Sequence, residues 1–241
     1  MIRALSIIGV AAATLIAGAA QAKKPRKHEF GIGAMGVVNG SFIGEPSAKE
    51  KIYKDQASLP YPGFAGVSGG GGLSLSYMYQ GYIGAELDVL YMNEQGTGSY
   101  DFGVTSIDVD ISQSAIHLPL MLKAAIPFRS TRPFIMVGPE LVLPVDSKVE
   151  AGAISSLKTA SADPYVALGF GLGMDIILPI QDADVRIPIS FRGNWTPGFS
   201  RDVDDRYPAV AINGNTASVE EISTEWEFQA FFTLGVAYHF K

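Results

Sequence analysis

The stretch FQAFFTLGVAYHFK, which runs from Phe228 to Lys241, alternates with a period of two and decides the predicted fold. Apolar side chains occupy every second position from Phe228 to Phe240, so one set of side chains lies on each face of a single strand. Strands of soluble proteins usually have about five or six residues, whereas about nine to eleven tilted residues cross a membrane. With aromatic residues at both ends of one face, the stretch predicts a membrane-spanning β-strand.

Seven further alternating segments precede it, and together they predict eight strands. The predicted strands are Glu29 to Val38, Gly72 to Gln80, Tyr82 to Asn93, Gln113 to Ala124, Pro133 to Leu143, Pro164 to Leu178, Val185 to Trp195 and Phe228 to Phe240. The connections after the second, fourth and sixth strands are short, and the other four are long, namely Asn39 to Gly71, Glu94 to Ser112, Val145 to Asp163 and Thr196 to Glu227. This asymmetry predicts an all-β fold, an eight-stranded antiparallel up-and-down transmembrane β-barrel with short periplasmic turns and long external loops.

The beginning of the chain has the features of an export signal. An apolar run from Ile7 to Ala19 and the small-residue site Ala20-Gln21-Ala22 predict a signal peptide over residues 1–22 that is cleaved. The run is shorter than the roughly twenty residues that a membrane-spanning helix needs. A basic periplasmic segment over 23–28 and the barrel domain over 29–241 complete the predicted organisation, and the bacterial outer membrane is the predicted location.

Composition agrees with short turns and two-faced strands. The chain has 27 glycines, no cysteine, 17% charged residues and 47% hydrophobic residues. A net charge of −6 argues against a nucleic-acid partner, because phosphates require patches of lysine and arginine. No motif indicates a cofactor or a metal, so neither is predicted.

Parity along each strand separates an apolar face from a polar one, and we assign the apolar face to lipid. Aromatic residues on this face predict two interfacial girdles. The residues near the loop end are Tyr91, Phe191, Trp195, Trp226 and Phe228, and those near the turn end are Tyr77, Tyr79, Tyr238 and Phe240, with Phe30 beside them.

The opposite face carries small, polar and charged residues and is predicted to fill the barrel interior, which in an eight-stranded barrel is only wide enough for side chains. The predicted interior charge network consists of Glu86, Asp88, Lys123, Glu140, Arg186 and Arg192. Isolated charges there are costly, so each is expected to find a partner. Pro119, Pro139 and Pro188 fall inside predicted strands, where each removes a hydrogen-bond donor, and β-bulges are the expected solution.

Two stretches resemble known outer-membrane proteins. The segment LPLMLK from Leu118, together with RPFIMVGPE from Arg132, resembles paired strands of the outer-membrane β-barrel domain family that includes the PorT-like group. This resemblance implies an eight-stranded barrel and makes Pro119 an expected feature. Thr233, Gly235, Tyr238 and Phe240 are similar to the signal that the barrel assembly machinery reads, which implies that machinery as a partner during biogenesis, although Lys241 follows the last aromatic residue.

Other chemistry is weighed against simpler explanations. His117 on the inner face could act as a general base, but no inward serine is paired with it, so a packed interior histidine is expected. Acidic residues in the second and fourth long loops, including the sequence Asp202-Val203-Asp204-Asp205, lack the spacing of an EF-hand and are predicted to be solvated. The run Gly69 to Gly72 is not followed by the lysine of a phosphate-binding loop and is predicted to be a flexible hinge into the second strand.

The sequence thus predicts a non-enzymatic outer-membrane β-barrel with a largely filled polar interior, which acts as a structural or interaction scaffold through its external loops. Its expected partners are outer-membrane lipid and a protein at those loops. Two alternatives stay open, a small-solute or ion channel and a periplasmic lipocalin-like barrel that binds a ligand inside, because parity alone does not separate inside from outside.

Overall fold

The computed structural model describes residues 27–44, 58–59, 63–101, 106–151, 160–161, 163–179, 183–197, 210–213, 216–218, 222–223 and 225–240. The predicted signal peptide, the Asp202 to Asp205 sequence and most of the predicted basic segment lie outside these residues. Within the described residues, no helix is long and apolar enough to cross a membrane.

Eight long strands form a closed barrel in which every neighbouring pair is antiparallel. Their bounds are β1 (His28–Ile43), β2 (Phe64–Tyr79), β3 (Ile83–Asp101), β4 (Ser106–Ala125), β5 (Thr131–Ala151), β6 (Tyr165–Pro179), β7 (Ala183–Trp195) and β8 (Phe228–Phe240). Each strand pairs with the next one along the chain, and β8 closes the ring by pairing with β1 from Phe30↔Phe240 to Phe42↔Phe228. The predicted eight-stranded up-and-down barrel is confirmed.

The strands are tilted, because the register does not close on the residue where it starts. A path that follows the paired residues once round the ring from Phe30 passes through Tyr77, Ala85, Leu122, Val137, Phe170, Gly193 and Ala230 and returns to β1 at Gly40. A stagger of this kind requires strands inclined by roughly 35–45° to the barrel axis. It also places residues from distant parts of the sequence at one height in the interior.

The turn between β2 and β3, from Tyr79 to Tyr82, explains why these two strands form a tight hairpin. Gln80 and Gly81 both have positive φ, at 50° and 72°, which is the requirement of a type I′ turn. The Tyr82 amide donates to the Tyr79 carbonyl over 3.1 Å and closes the turn. Its twist matches that of the flanking strands, so the hairpin continues directly into the sheet.

Strands β1 to β5 are longer than predicted at their external ends, and this corrects the predicted loops. On β3 and β4 the pairs continue from Asn93↔Ser114 to Asp101↔Ser106, although the outward side chains there are polar. The predicted strands end where their apolar outward face ends. The hydrogen-bonded ladder needs only backbone groups, so the observed strands continue above that point. Gly69 to Gly72 likewise lie inside β2, paired with both β1 and β3, so the predicted hinge is wrong.

Short strands connect the external segments. Ser58–Leu59 pairs with Val210–Asn213, which also pairs with Thr216–Ser218. Ala160–Ser161 runs parallel to Ile222–Ser223. Segments of the first and third external connections are therefore both held by the fourth.

Pro119, Pro139 and Pro188, the three prolines that fall inside predicted strands, are accommodated without the expected bulges. Each proline interrupts the pairing with one neighbouring strand, and the pairing then resumes in the same register. The interrupted pairs are β3 with β4 at Pro119, β4 with β5 at Pro139, and β7 with β8 at Pro188. Each proline still pairs on its other side. A strand residue directs its amide to only one neighbour, so a proline removes a donor from one ladder and leaves the other intact. Among the described pairs, the ring has a register shift between Ser114 and Ala115.

The direction of the two faces is also decided. Large apolar side chains point outward and are exposed, among them Leu73 at 59%, Leu122 at 65% and Leu172 at 62%. Charged side chains such as Glu86, Asp88 and Arg192 are buried inside. A lipocalin-like barrel would have the reverse arrangement, so the lipocalin alternative is overturned.

Candidate functional site in the barrel interior

The middle of the barrel interior is crossed by a cluster of ion pairs, which we call the middle cluster: Glu86, Asp88, Lys123, Asp175 and Arg192. Arg192 donates through Nη2 to Glu86 Oε1 over 2.7 Å and through Nη1 to Asp88 Oδ2 over 2.6 Å. Lys123 Nζ donates to Glu86 Oε2 over 3.1 Å and to Asp175 Oδ1 over 3.4 Å. These residues come from four strands, and their contacts span the lumen.

The periplasmic end holds the lower cluster, in which Glu29 forms ion pairs with Arg132 and Arg186, and the buried His239 lies on the inward face of the neighbouring β8. Arg132 forms a two-pronged pair with Glu29, through Nη1 to Oε2 over 2.8 Å and through Nη2 to Oε1 over 3.3 Å. Arg186 Nη2 donates to the same Oε2 over 2.6 Å. Glu29, Arg132 and His239 were absent from the predicted charge network, although each lies on the inward parity of its strand and could have been found by that rule.

The external end holds the upper cluster, formed by Glu94, Gln113, His117, Glu140 and Gln229. His117 Nδ1 lies 2.5 Å from Glu140 Oε1. Its Nε2 lies 2.9 Å from Glu94 Oε1, close enough for an ion pair but at a poor angle for a hydrogen bond. Gln113 Nε2 donates to Glu94 Oε2 over 2.9 Å, and Gln229 Nε2 also donates to Glu94.

Trp226 closes the upper cluster from the loop side. Its side chain is only 1% exposed, and its Nε1 donates to Glu94 Oε2 over 2.9 Å. Thr196 Oγ1 donates to the Trp226 carbonyl over 2.7 Å, and the Thr196 amide donates to the Glu227 carbonyl over 3.1 Å. The prediction that Trp226 belongs to the outer aromatic girdle is therefore wrong. It extends the inward and outward alternation of β8 to a residue that precedes that strand.

Glu94 is also corrected, from a solvated loop residue to a buried residue of β3. It continues the inward parity of Glu86 and Asp88 beyond the last outward apolar residue, Tyr91. The inward set thus extends higher than the lipid-facing set. Asp108 and Asp110 were also placed in a loop, and they lie instead on β4, exposed, where they accept hydrogen bonds from Ser99 and Thr97 of β3.

The six residues of the predicted charge network are thus divided among three heights. Glu86, Asp88, Lys123 and Arg192 meet in the middle cluster, Arg186 lies in the lower cluster and Glu140 lies in the upper cluster. His117 is surrounded by carboxylates and by the Phe231 ring, whose centroid is 6.1 Å away. No serine, threonine or lysine is among these contacts of His117.

Large side chains fill the space that the inward glycines of β6 leave. A Cβ on Gly169 would come within 3.2 Å of Met121 Sδ, and one on Gly173 would come within 2.6 Å of Phe134 Cζ. Lys123 Nζ lies 3.6 Å from the centroid of the Phe134 ring, which favours the cation electrostatically. The glycine stripe therefore provides room for neighbouring side chains.

The predicted girdle residues other than Trp226 lie on the outer face. At the turn end, the Phe30 and Tyr77 rings are 5.0 Å apart, and those of Tyr238 and Phe240 are 5.1 Å apart. At the loop end, Phe228 lies 6.4 Å from Phe42, a residue that the prediction missed. Trp195, Phe191, Tyr91 and Tyr79 are also outward and exposed.

Of the predicted assembly-signal residues, Tyr238 and Phe240 point outward, while Thr233 and Gly235 point inward.

A closed ring of eight antiparallel strands, apolar outside and charged inside, defines a transmembrane β-barrel. The chain belongs to the outer membrane protein beta-barrel domain family, whose model matches residues 8–240. It is accordingly an outer-membrane protein, and this confirms the predicted family and location. The PorT-like subgroup stays a prediction.

Solved structures that resemble the chain are also outer-membrane barrels. OprG of Pseudomonas aeruginosa is 14% identical with a TM-score of 0.45, and the match covers 90% of this chain and 97% of that one. The N-terminal β-barrel domain of Pseudomonas aeruginosa OprF is 11% identical with a TM-score of 0.40, covering 91% and 100%. Ail of Yersinia pestis is 13% identical with a TM-score of 0.39, covering 89% and 100%. No curated protein matches the chain.

Proposed function

We propose that this protein is a non-enzymatic scaffold of the outer membrane, whose filled barrel anchors an external platform that contacts another macromolecule. The observation that carries the proposal is the three-level blockage of the interior by the lower, middle and upper clusters. Buried ion pairs are costly to break, because a separated partner stays buried without its counter-charge. We therefore expect these clusters to obstruct the passage of solutes through the lumen.

The strands that rise above the apolar band support the platform. On β3 the outward residues change from Tyr91 to Asn93, and on β4 from Ile116 to Ser114, which marks the membrane boundary. Beyond it the two strands continue as a polar hairpin, with Ser114 Oγ donating to Asn93 Oδ1 over 3.0 Å. Loops on a rigid scaffold are where binding residues usually lie.

Liposome swelling tests the blocked interior against the channel alternative. Proteoliposomes with the wild-type barrel should swell no faster in arabinose or sodium chloride than liposomes without protein. A triple variant, Arg132→Ala with Arg192→Ala and Trp226→Ala, removes one large side chain at each of the three levels and should increase the swelling rate. Trp195→Ala, which changes a lipid-facing tryptophan, is the matched control. Solute-dependent swelling by the wild type would overturn the filled-scaffold proposal and favour the channel.

Site-specific photocrosslinking in intact cells tests the platform. A crosslinker at Ser99, above the boundary on β3, should yield a discrete protein adduct. One at Leu122, which is 65% exposed on the lipid-facing surface, should yield lipid adducts only. Identical adduct patterns at the two positions would contradict a partner at the external end.

A further inference from the structure

The lower cluster has more buried hydrogen-bond donors than its carboxylate can accept. Both oxygens of Glu29 are already engaged, by Arg132 and Arg186. Arg132 Nε, Arg186 Nε, Arg186 Nη1 and His239 Nδ1 are buried and have no hydrogen-bond partner among the described residues. Buried donors without partners cost about 1–3 kcal/mol each, and more when the group is charged. The three unpartnered guanidinium nitrogens are donors only, so the partner that they lack is an acceptor.

The donors belong to one small region. Arg132 Nη1 and Arg186 Nη2 share Glu29 Oε2 at 2.8 Å and 2.6 Å, so these two nitrogen atoms are no farther apart than the sum of those distances. The side chains of Arg132, Arg186 and His239 are 3%, 1% and 4% exposed. Two guanidinium groups at such a distance in a buried place repel each other, and an anion between them reduces that repulsion.

Other charged groups nearby do not replace this anion. Asp175 pairs with Arg132 in the strand register, but its Oδ1 accepts from Lys123 Nζ at 3.4 Å in the middle cluster. Asp184 pairs with His239 in the strand register. Among the described residues, Glu29 is the carboxylate that directly contacts both guanidinium groups.

We propose that the lower cluster is a binding site for a small inorganic anion, chloride or phosphate, which enters from the periplasm. Glu29 and His239 lie beside the periplasmic ends of β1 and β8, and Arg132 follows the first residue of β5. Arg132 lies two residues beyond the 126–130 turn and Arg186 is the fourth residue of β7, so the site is close to the periplasmic end of the barrel. Arginine donors in a fixed geometry suit oxyanions and halides, as they do in other anion sites. The bound anion holds β1, β5, β7 and β8 together at the end where the barrel closes.

The test compares thermal unfolding midpoints of the full-length protein in detergent micelles at constant ionic strength, with chloride or phosphate replacing the bulky anion of a sulfonate buffer. Binding to the folded state alone raises the midpoint in a saturable way, by about 5 °C or more at a hundred times the dissociation constant. Arg186→Lys keeps the charge but removes Nε and Nη1, and should abolish the saturable rise. Arg129→Lys, the same change at an exposed arginine of the 126–130 turn, should leave it unchanged.

The two anions are distinguished by which one saturates at the lower concentration. A wild-type midpoint that is the same in chloride, in phosphate and in the sulfonate buffer means that water occupies the donors, and it overturns the proposal. An unchanged saturable rise in Arg186→Lys also overturns it. If that variant does not fold, crystals of the wild type are soaked in bromide, which replaces chloride, and in arsenate, which replaces phosphate. An anomalous peak within hydrogen-bond distance of the Arg186 guanidinium supports the site, and its absence with both anions rejects it.

Discussion

At the scale of single residues, Arg192 is the centre of the barrel interior. Its two terminal nitrogen atoms each hold a different carboxylate, on Glu86 and Asp88, and all three side chains are buried. Neither carboxylate could reach water if the guanidinium were removed. Only Glu86 keeps a second cation, Lys123.

Arg192→Leu should therefore lower the free energy of unfolding by about 3–5 kcal/mol, the usual cost of leaving a buried charge unpaired. Urea titration of the barrel in micelles measures this. Adding Glu86→Gln and Asp88→Asn to the same variant should restore part of the loss, because neutral amides need no counter-charge. Lys148→Leu breaks an exposed pair with Asp146, 65% and 58% exposed, and should cost less than about 1 kcal/mol. Equal losses at Arg192 and Lys148 would contradict the buried network.

The two tryptophans differ in environment although the sequence gives them the same role. Trp195 is 47% exposed on the outer face, and Trp226 is 1% exposed at the mouth of the interior. Variants that retain one tryptophan, Trp226→Phe and Trp195→Phe, separate their fluorescence.

In vesicles of brominated lipid, the fluorescence of Trp195 should be strongly quenched, because its ring lies against the acyl chains. Trp226 should be quenched much less, both by the lipid and by acrylamide in water. Equal quenching of both variants by brominated lipid would indicate that Trp226 lies on the lipid-facing surface as part of the aromatic girdle.

At the scale of elements, the external ends of β3 and β4 differ from the membrane-spanning parts of the same strands in the side chains that point outward. The pairing from Asn93↔Ser114 to Asp101↔Ser106 carries polar residues outward, with Ser99 donating to Asp108. Hydrogen bonding of the backbone maintains the ladder where the apolar face has ended.

A cysteine pair at Ser99 and Asp108 should oxidise readily to a disulfide, since the two residues are direct partners and the natural chain has no cysteine to compete. The pair Ser99→Cys with Ser114→Cys is the control, because Ser114 is opposite Asn93, six positions from Ser99 along β3. Faster migration of the oxidised protein on denaturing gels reports the bond. Similar rates for the two pairs would indicate an open loop in place of the hairpin.

At the scale of the whole molecule, the pairing of β8 with β1 closes the barrel. Tyr238 and Phe240 point outward on that strand at the periplasmic end. We expect the double variant Tyr238→Ser with Phe240→Ser to reduce the amount of barrel in the outer-membrane fraction by several-fold, because it removes both the interfacial anchors and the proposed assembly signal. Leu234→Ser with Val236→Ser, on the same outward face of β8, is the control. If it lowers the yield to the same extent, loss of apolar surface alone explains the result.

Period-two alternation was enough to predict the eight strands, their order and the closing pair, because alternation depends only on which face of a strand each side chain occupies. The same parity placed Glu86, Asp88, Lys123 and Arg192 together inside. It did not find the lower ends of the network, Glu29 and Arg132, because Glu29 is the first residue of a predicted strand and Arg132 immediately precedes one, and strand boundaries are least reliable.

What the sequence determined by itself is therefore local: strand, face and turn follow from neighbouring residues. Only the tertiary structure decided which face is outside, how Pro119, Pro139 and Pro188 fit, and which interior charges meet. Those outcomes depend on the stagger of the closed ring, which brings Glu29, Arg132 and Arg186 from three separate strands to one height. A stagger is a property of all eight strand pairs at once, and no single segment of the chain encodes it.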